Sequence, residues 1–149
     1  MGLPDPARDP QFYQGVPLRR LVAFVIDTAV IVLLMASIAV VAGLIGLASF
    51  GLGWMLIVPG FALAGFLYRF TMLRERSATL GMLAAGIELR GPDGARIDAS
   101  LAAVHTLGFY ATLYLPVLMV LGIALMGFNP RRQLLHDLPL GTAMINRPE

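Results

Sequence analysis

"LRRLVAFVIDTAVIVLLM", residues 18–35, opens on two arginines and then runs apolar, with Asp27 as the one charge left inside it. Downstream, residues 28–68 carry no charged side chain. As one helix that run would be ~60 Å long at ~1.5 Å per residue, about twice the hydrocarbon thickness of a bilayer. It therefore has to fold back. The turn is expected at "SFGLGW", residues 49–54, where two glycines can reverse the chain and Trp54 suits a membrane interface. The spacing predicts one transmembrane helix over Leu18–Ala48 and a second over Gly53–Leu73, with Pro59 as a kink near the start of the second.

Composition agrees. Of the 149 residues, 58% are hydrophobic and 13% charged, against about 25% charged in a soluble domain. The net charge is +2, every basic residue other than histidine is an arginine, and these flank the apolar runs. That placement marks membrane borders rather than a nucleic-acid surface. Cysteine is absent, which excludes disulfides, thiolate metal sites and cysteine nucleophiles. Residues 1–18 are rich in proline and polar groups and read as a disordered tail without a cleavable apolar core. Residues 19–149 form the membrane domain.

Between the second and third apolar regions, Leu80, Leu83, Ala84 and Ile87 recur at helical spacing, as expected of a short amphipathic helix on the membrane surface. "IELR" and "ARID" flank "GPDG" and suggest a small hairpin. The third apolar region, 99–130, holds His105 and has Pro116 near its middle. The arginine clusters at 8, 19 and 20, at 69, 74 and 76, and at 131, 132 and 147 contrast with the uncharged loop at 49–54. If all of them are cytoplasmic, the N-terminus is inside and the third region is re-entrant, breaking at Pro116. The alternative is a full third span with the C-terminus outside. The fold class is an all-α membrane protein. Small residues at Ala39, Ala42, Gly43 and Gly46, and at Gly60 and Ala64, suit close packing of the first two helices on each other, or a dimer face.

Asp27 and Arg20 are seven residues apart, on one helix face and separated by ~10 Å along the axis. A guanidinium reaching down from the interface could hold the carboxylate ionised. Asp137 follows His136 in the C-terminal segment and could approach Arg19 or Arg20, sharing that arginine with Asp27. Two isolated histidines without cysteine make no metal site. His105 is read as a buried structural histidine, with a proton relay as the sharper reading. No catalytic triad, phosphate loop or nucleotide fingerprint is present, so neither an enzyme nor a cofactor is expected.

These residues together resemble the RDD family of small integral membrane proteins, named for arginine-aspartate-aspartate. Arg20, Asp27 and Asp137 match the name-giving positions. "SATLGM", with Thr79 and Gly81, is similar to the family's "GQTxGK" segment, and "NPRRQLLHDLPLGT" to its terminal signature. Met82 stands where members often have lysine, Asn129 where they often have aspartate, and His105 with apolar neighbours where they often have arginines. The resemblance implies a bacterial inner-membrane protein. It also implies transport of a monovalent cation, proton or small solute, as a homo-oligomer or with other membrane proteins. The other role it allows is an accessory or assembly subunit, with the Arg-Asp-Asp set as a structural latch. A hydrated cavity at Asp27 would favour transport, and a seal against Arg20 the latch.

Overall fold

The computed structural model describes residues 2–148. Helix α1 spans Val16–Ala48 and α2 spans Ile57–Arg76, and both are long and apolar enough to cross a membrane. A 3-10 turn, Leu52–Leu56, leads into α2. The reversal falls at the expected glycines: Phe50 and Gly51 have φ of 54° and 102°, and the Ser49 hydroxyl accepts from the Gly53 amide at 3.0 Å. Pro59 does not break the span. It lies in the first turn of α2, where a missing amide hydrogen costs no intrahelical bond.

The small residues serve packing within the chain. A Cβ on Gly53 would lie 2.4 Å from the Gly46 nitrogen, and one on Gly46 would lie 2.1 Å from the Trp54 indole nitrogen. Gly60 packs on Ile38. The opposite faces of α1 leave Leu18, Val25, Leu33, Leu44 and Leu47 exposed, as lipid-facing side chains should be.

After α2 the chain is tied down. Ser77 caps the helix in a left-handed conformation, and its carbonyl accepts from the Leu89 amide at 2.7 Å. Helix α3, Leu80–Ala84, is a single short turn packed on α1, with Gly81 and Met82 buried. It is shorter than its apolar spacing suggests, because Ile87 belongs to strand β1, Ile87–Arg90. The turn at 91–94 forms, closed by the Gly91 amide on the Ala95 carbonyl at 3.0 Å. "ARID" adds only one bridge, Arg90 with Arg96. The true strand partner is β2, Ala143–Asn146, antiparallel with Ile87 opposite Asn146 and Arg90 opposite Ala143.

The third apolar region is two helices, α4 (Ala99–Tyr114) and α5 (Pro116–Phe128), bent by 110°. Leu115 is extended, at φ −109° and ψ 94°, because a residue before proline is pushed out of the helical region. The chain then returns to the end from which α4 began. β2 lies on β1, and the Asn146 side chain donates to the Gln11 and Gln14 carbonyls at 2.7 and 2.8 Å. A straight third span does not fit this path: the C-terminal strand meets the segment that precedes α1. In that segment, read from sequence as a disordered tail, Tyr13 packs with Ala143 and Ile145 and donates to the Pro4 carbonyl at 2.9 Å.

The core lies at this same end. Val16 and Ala23 of α1, Leu73 of α2, Met82 of α3, Leu89 of β1, Ala102 of α4 and Met144 of β2 form one buried cluster.

Candidate functional site

Asp27 is 5% exposed, and both its oxygens are occupied. The Tyr68 hydroxyl donates to Oδ1 at 2.7 Å and the Gly81 amide to the same oxygen at 2.9 Å. The Thr79 hydroxyl donates to Oδ2 at 2.6 Å. Thr79 is itself the N-cap of α3, accepting from the Met82 amide at 3.2 Å. Tyr68 also accepts from the Leu80 amide at 3.2 Å. One carboxylate of α1 thus gathers α2 and the start of α3. Here the expected Arg20–Asp27 pair is corrected: among the described residues, no salt bridge reaches Asp27. Hydroxyl and amide donors come within 3 Å, whereas Arg20 is drawn to the other carboxylate.

Gly81 explains the small residue in "TLGM". A Cβ there would sit 2.1 Å from the Ala23 carbonyl oxygen and 2.8 Å from Asp27. Gly81→Ala should therefore force α3 off α1 and destabilise the protein by about 3 kcal/mol or more. Thermal unfolding in detergent checks this, and an unchanged midpoint would show that the close approach is not needed.

Asp137 is fully buried and anchors the second cluster. Arg20 donates to its Oδ2 at 2.8 Å, and so does the Leu134 amide at 3.0 Å. His105 Nε2 meets Oδ1 at 2.9 Å, and the Thr142 hydroxyl donates there at 3.3 Å. Gln133 closes the loop by donating to the Thr142 carbonyl at 2.6 Å. This carboxylate joins α1, α4 and the segment leading to β2. Arg19 goes elsewhere, to the Ala85 carbonyl behind α3 at 3.1 Å. Arg20 is therefore not shared: it serves Asp137, and Asp27 has its own donors.

The two histidines are not isolated. The ring of His105 lies 4.9 Å from that of His136, edge to face. Together with Asp137 they offer ligand atoms within 4.8 Å of one another. The donor types would suit a divalent cation, but Arg20 holds a fixed positive charge against the same carboxylate, so the group fits a hydrogen-bonded cluster better than a metal centre.

Burial alone would push the Asp137 carboxyl up. The Arg20 guanidinium, followed by the His105 hydrogen bond, outweighs it and holds the group well below the usual carboxylate range. Burial pulls His136 down to about 3, against the opposing effect of Asp137, with His105, Arg20 and Arg69 also lowering it. Both folded values lie below the unfolded ones. Both groups therefore contribute stability that is present above the unfolded pKa and lost as pH falls. For His136 the window runs from its ordinary 6.5 down to about 3. We expect the segment 129–148 to become protease-sensitive as pH drops from about 7 to about 5, and His136→Phe to flatten that dependence. An identical pH profile in the variant would assign the effect to another group.

Beside both clusters is a cavity of about 420 Å³ between α1 and α5. Its walls are mostly apolar, among them Leu21, Phe24, Met119 and Ile123, and its polar floor includes Asp27, Arg20, Arg69 and His136. Arg69 stacks on Phe109, with its guanidinium carbon 3.7 Å from the ring centroid.

The family model described as "RDD family" matches residues 15–141. The chain belongs to the RDD family. No match was found among curated proteins or among solved structures. In this RDD protein the three name-giving residues make two separate clasps, Arg20 with Asp137 and Asp27 with α2 and α3. Tyr68, Gln133 and Thr142 complete them. Sequence reading missed these three because a lone tyrosine, glutamine or threonine carries no signal until a carboxylate is placed beside it.

Proposed function

We propose that this RDD protein is a non-enzymatic accessory or assembly subunit of a membrane complex, in which the Arg-Asp-Asp set is structural. It holds the two surface segments, 77–90 and 129–146, on the end of the helical pair. The observation that carries this reading is saturation: each oxygen of Asp27 and Asp137 is taken by a protein donor. An ion site needs free oxygens and a wet path, and the cavity beside Asp27 has mainly apolar walls.

The arginine clusters sit at the end where the N- and C-terminal segments meet, so the positive-inside rule makes that end cytoplasmic. With the family's mainly bacterial membership, this supports a bacterial inner-membrane location with the N-terminus inside. A second reading, ion or proton transport within an oligomer or complex, draws on one observation: Asp27, Arg69 and His136 border the same cavity.

Cation-driven proton movement in proteoliposomes separates the two. We expect no flux from folded wild-type protein, and a defined partner on purification from the native membrane. Flux in the wild type that is lost in a folded Asp27→Asn variant would overturn the structural reading and make Asp27 an ion site.

A further inference from the structure

Arg69 belongs to neither clasp. It is only 6% exposed, its Nε is buried without a hydrogen-bond partner, and among the described residues no carboxylate lies within salt-bridge distance. An arginine stays protonated in proteins, and a buried guanidinium without an anion is costly. Stacking on Phe109 offsets part of that cost. The Nε of Arg20 is likewise buried and unpartnered on the same floor.

What lies above these donors is apolar. Leu21 and Phe24 of α1 and Met119 and Ile123 of α5 line the cavity, and all four remain exposed rather than enclosed by protein. The cavity can therefore be reached from the hydrocarbon of a bilayer. Its volume of about 420 Å³ is within the range of small-ligand sites, which are typically about 300–1,000 Å³. An occupant must be a hydrocarbon over most of its length and an oxyanion at one end. A guanidinium fork matches carboxylate or phosphate oxygens. The Asp27 carboxylate on the same floor has its oxygens engaged by Tyr68, Thr79 and Gly81, so it makes no ion pair with Arg69.

We propose that this cavity binds a single-chain anionic amphiphile from the membrane, with its head on Arg69 and its acyl chain between α1 and α5.

The test uses full-length protein purified in a neutral detergent and stripped of lipid, with labelled palmitate as the probe. Monopalmitoyl phosphatidic acid and hexadecanol serve as competitors. Palmitate should bind saturably, and the tighter of the two oxyanions identifies the head group. Hexadecanol should be at least about tenfold weaker than that oxyanion, since it lacks the charge-assisted bonds. Arg69→Gln should cost palmitate about tenfold or more while leaving hexadecanol unchanged. Ile123→Trp, on the cavity wall and away from both clasps, should weaken all three ligands, and it decides the matter if Arg69→Gln does not fold. Hexadecanol binding as well as the oxyanions, or palmitate binding unaffected by Ile123→Trp, would overturn the proposal. None of these outcomes depends on whether the clasps are structural, because neither substituted residue takes part in them.

Discussion

Asp27→Ala should lower the stability of the protein by about 3–5 kcal/mol, as expected when the shared acceptor of three buried hydrogen bonds is removed and its donors are left unsatisfied. The variant strands the Tyr68 hydroxyl, the Thr79 hydroxyl and the Gly81 amide, all aimed at the missing carboxylate. Loss should be concentrated where those donors lie, so protease sensitivity should rise first at 77–86, and the segment 129–148 should follow only on global unfolding. Tyr68→Phe removes one of the three bonds to Asp27 and the acceptor of the Leu80 amide, and should cost about 2 kcal/mol. Asp27→Asn keeps one acceptor oxygen and should fall between the two. Thermal unfolding of the three variants in one detergent gives the order directly. Asp27→Ala melting with the wild type would remove the first clasp from the account and return Asp27 to the transport reading.

Arg20→Met should be comparably severe, at about 3–5 kcal/mol, because it leaves the Asp137 carboxylate buried without its cation. Asp137 would keep His105, Thr142 and the Leu134 amide, but none of them supplies the fixed charge of a guanidinium. Here the damage should appear at 129–148, with β2 leaving β1, and not at 77–86. The double variant Arg20→Met/Asp137→Leu removes both charges and should recover part of the loss, giving a coupling energy of about 0.5–3 kcal/mol. If the double variant is as unstable as the sum of the singles, the pair is not coupled and Asp137 is held by the histidine side alone. The two single variants together also test whether the clasps are separate: each should loosen its own segment. A common pattern of protease sensitivity would mean that Arg20, Asp27 and Asp137 act as one network.

Much of this fold was legible because the bilayer limits what a chain can do. A charge-free run of residues 28–68 must satisfy its backbone internally and must turn where glycines permit. Both helices and the turn at 49–54 follow from that alone, and so does the break before Pro116, since the steric conflict of a residue with a following proline is local. The arginine clusters left the third region either re-entrant or a full span, and the 110° bend together with the pairing of β1 with β2 brings it back.

Partner choice was not legible in the same way. Arg20 and Asp27 share a helix face, and spacing suggested that they pair. In the structure Arg20 is 2.8 Å from an aspartate 117 positions away, and Asp27 is satisfied by a hydroxyl from α2 and by a hydroxyl and an amide from the start of α3. Hydrogen bonds of about 3 Å are decided by which groups the packing brings close, and separation along the chain does not record that. The same holds for "IELR", whose alternation announced a strand but whose partner is 53 or more positions on, at Ala143–Asn146. It holds again for His105 and His136, isolated in sequence and 4.9 Å apart between ring centroids in the fold. Sequence by itself determined the membrane class, the two spans, the turn and the break, because each rests on local hydropathy or backbone sterics. Only the tertiary structure decided the clasps, the β1–β2 pairing and the cavity over Arg69, because each is made by side chains or strands that meet only after the helices have packed.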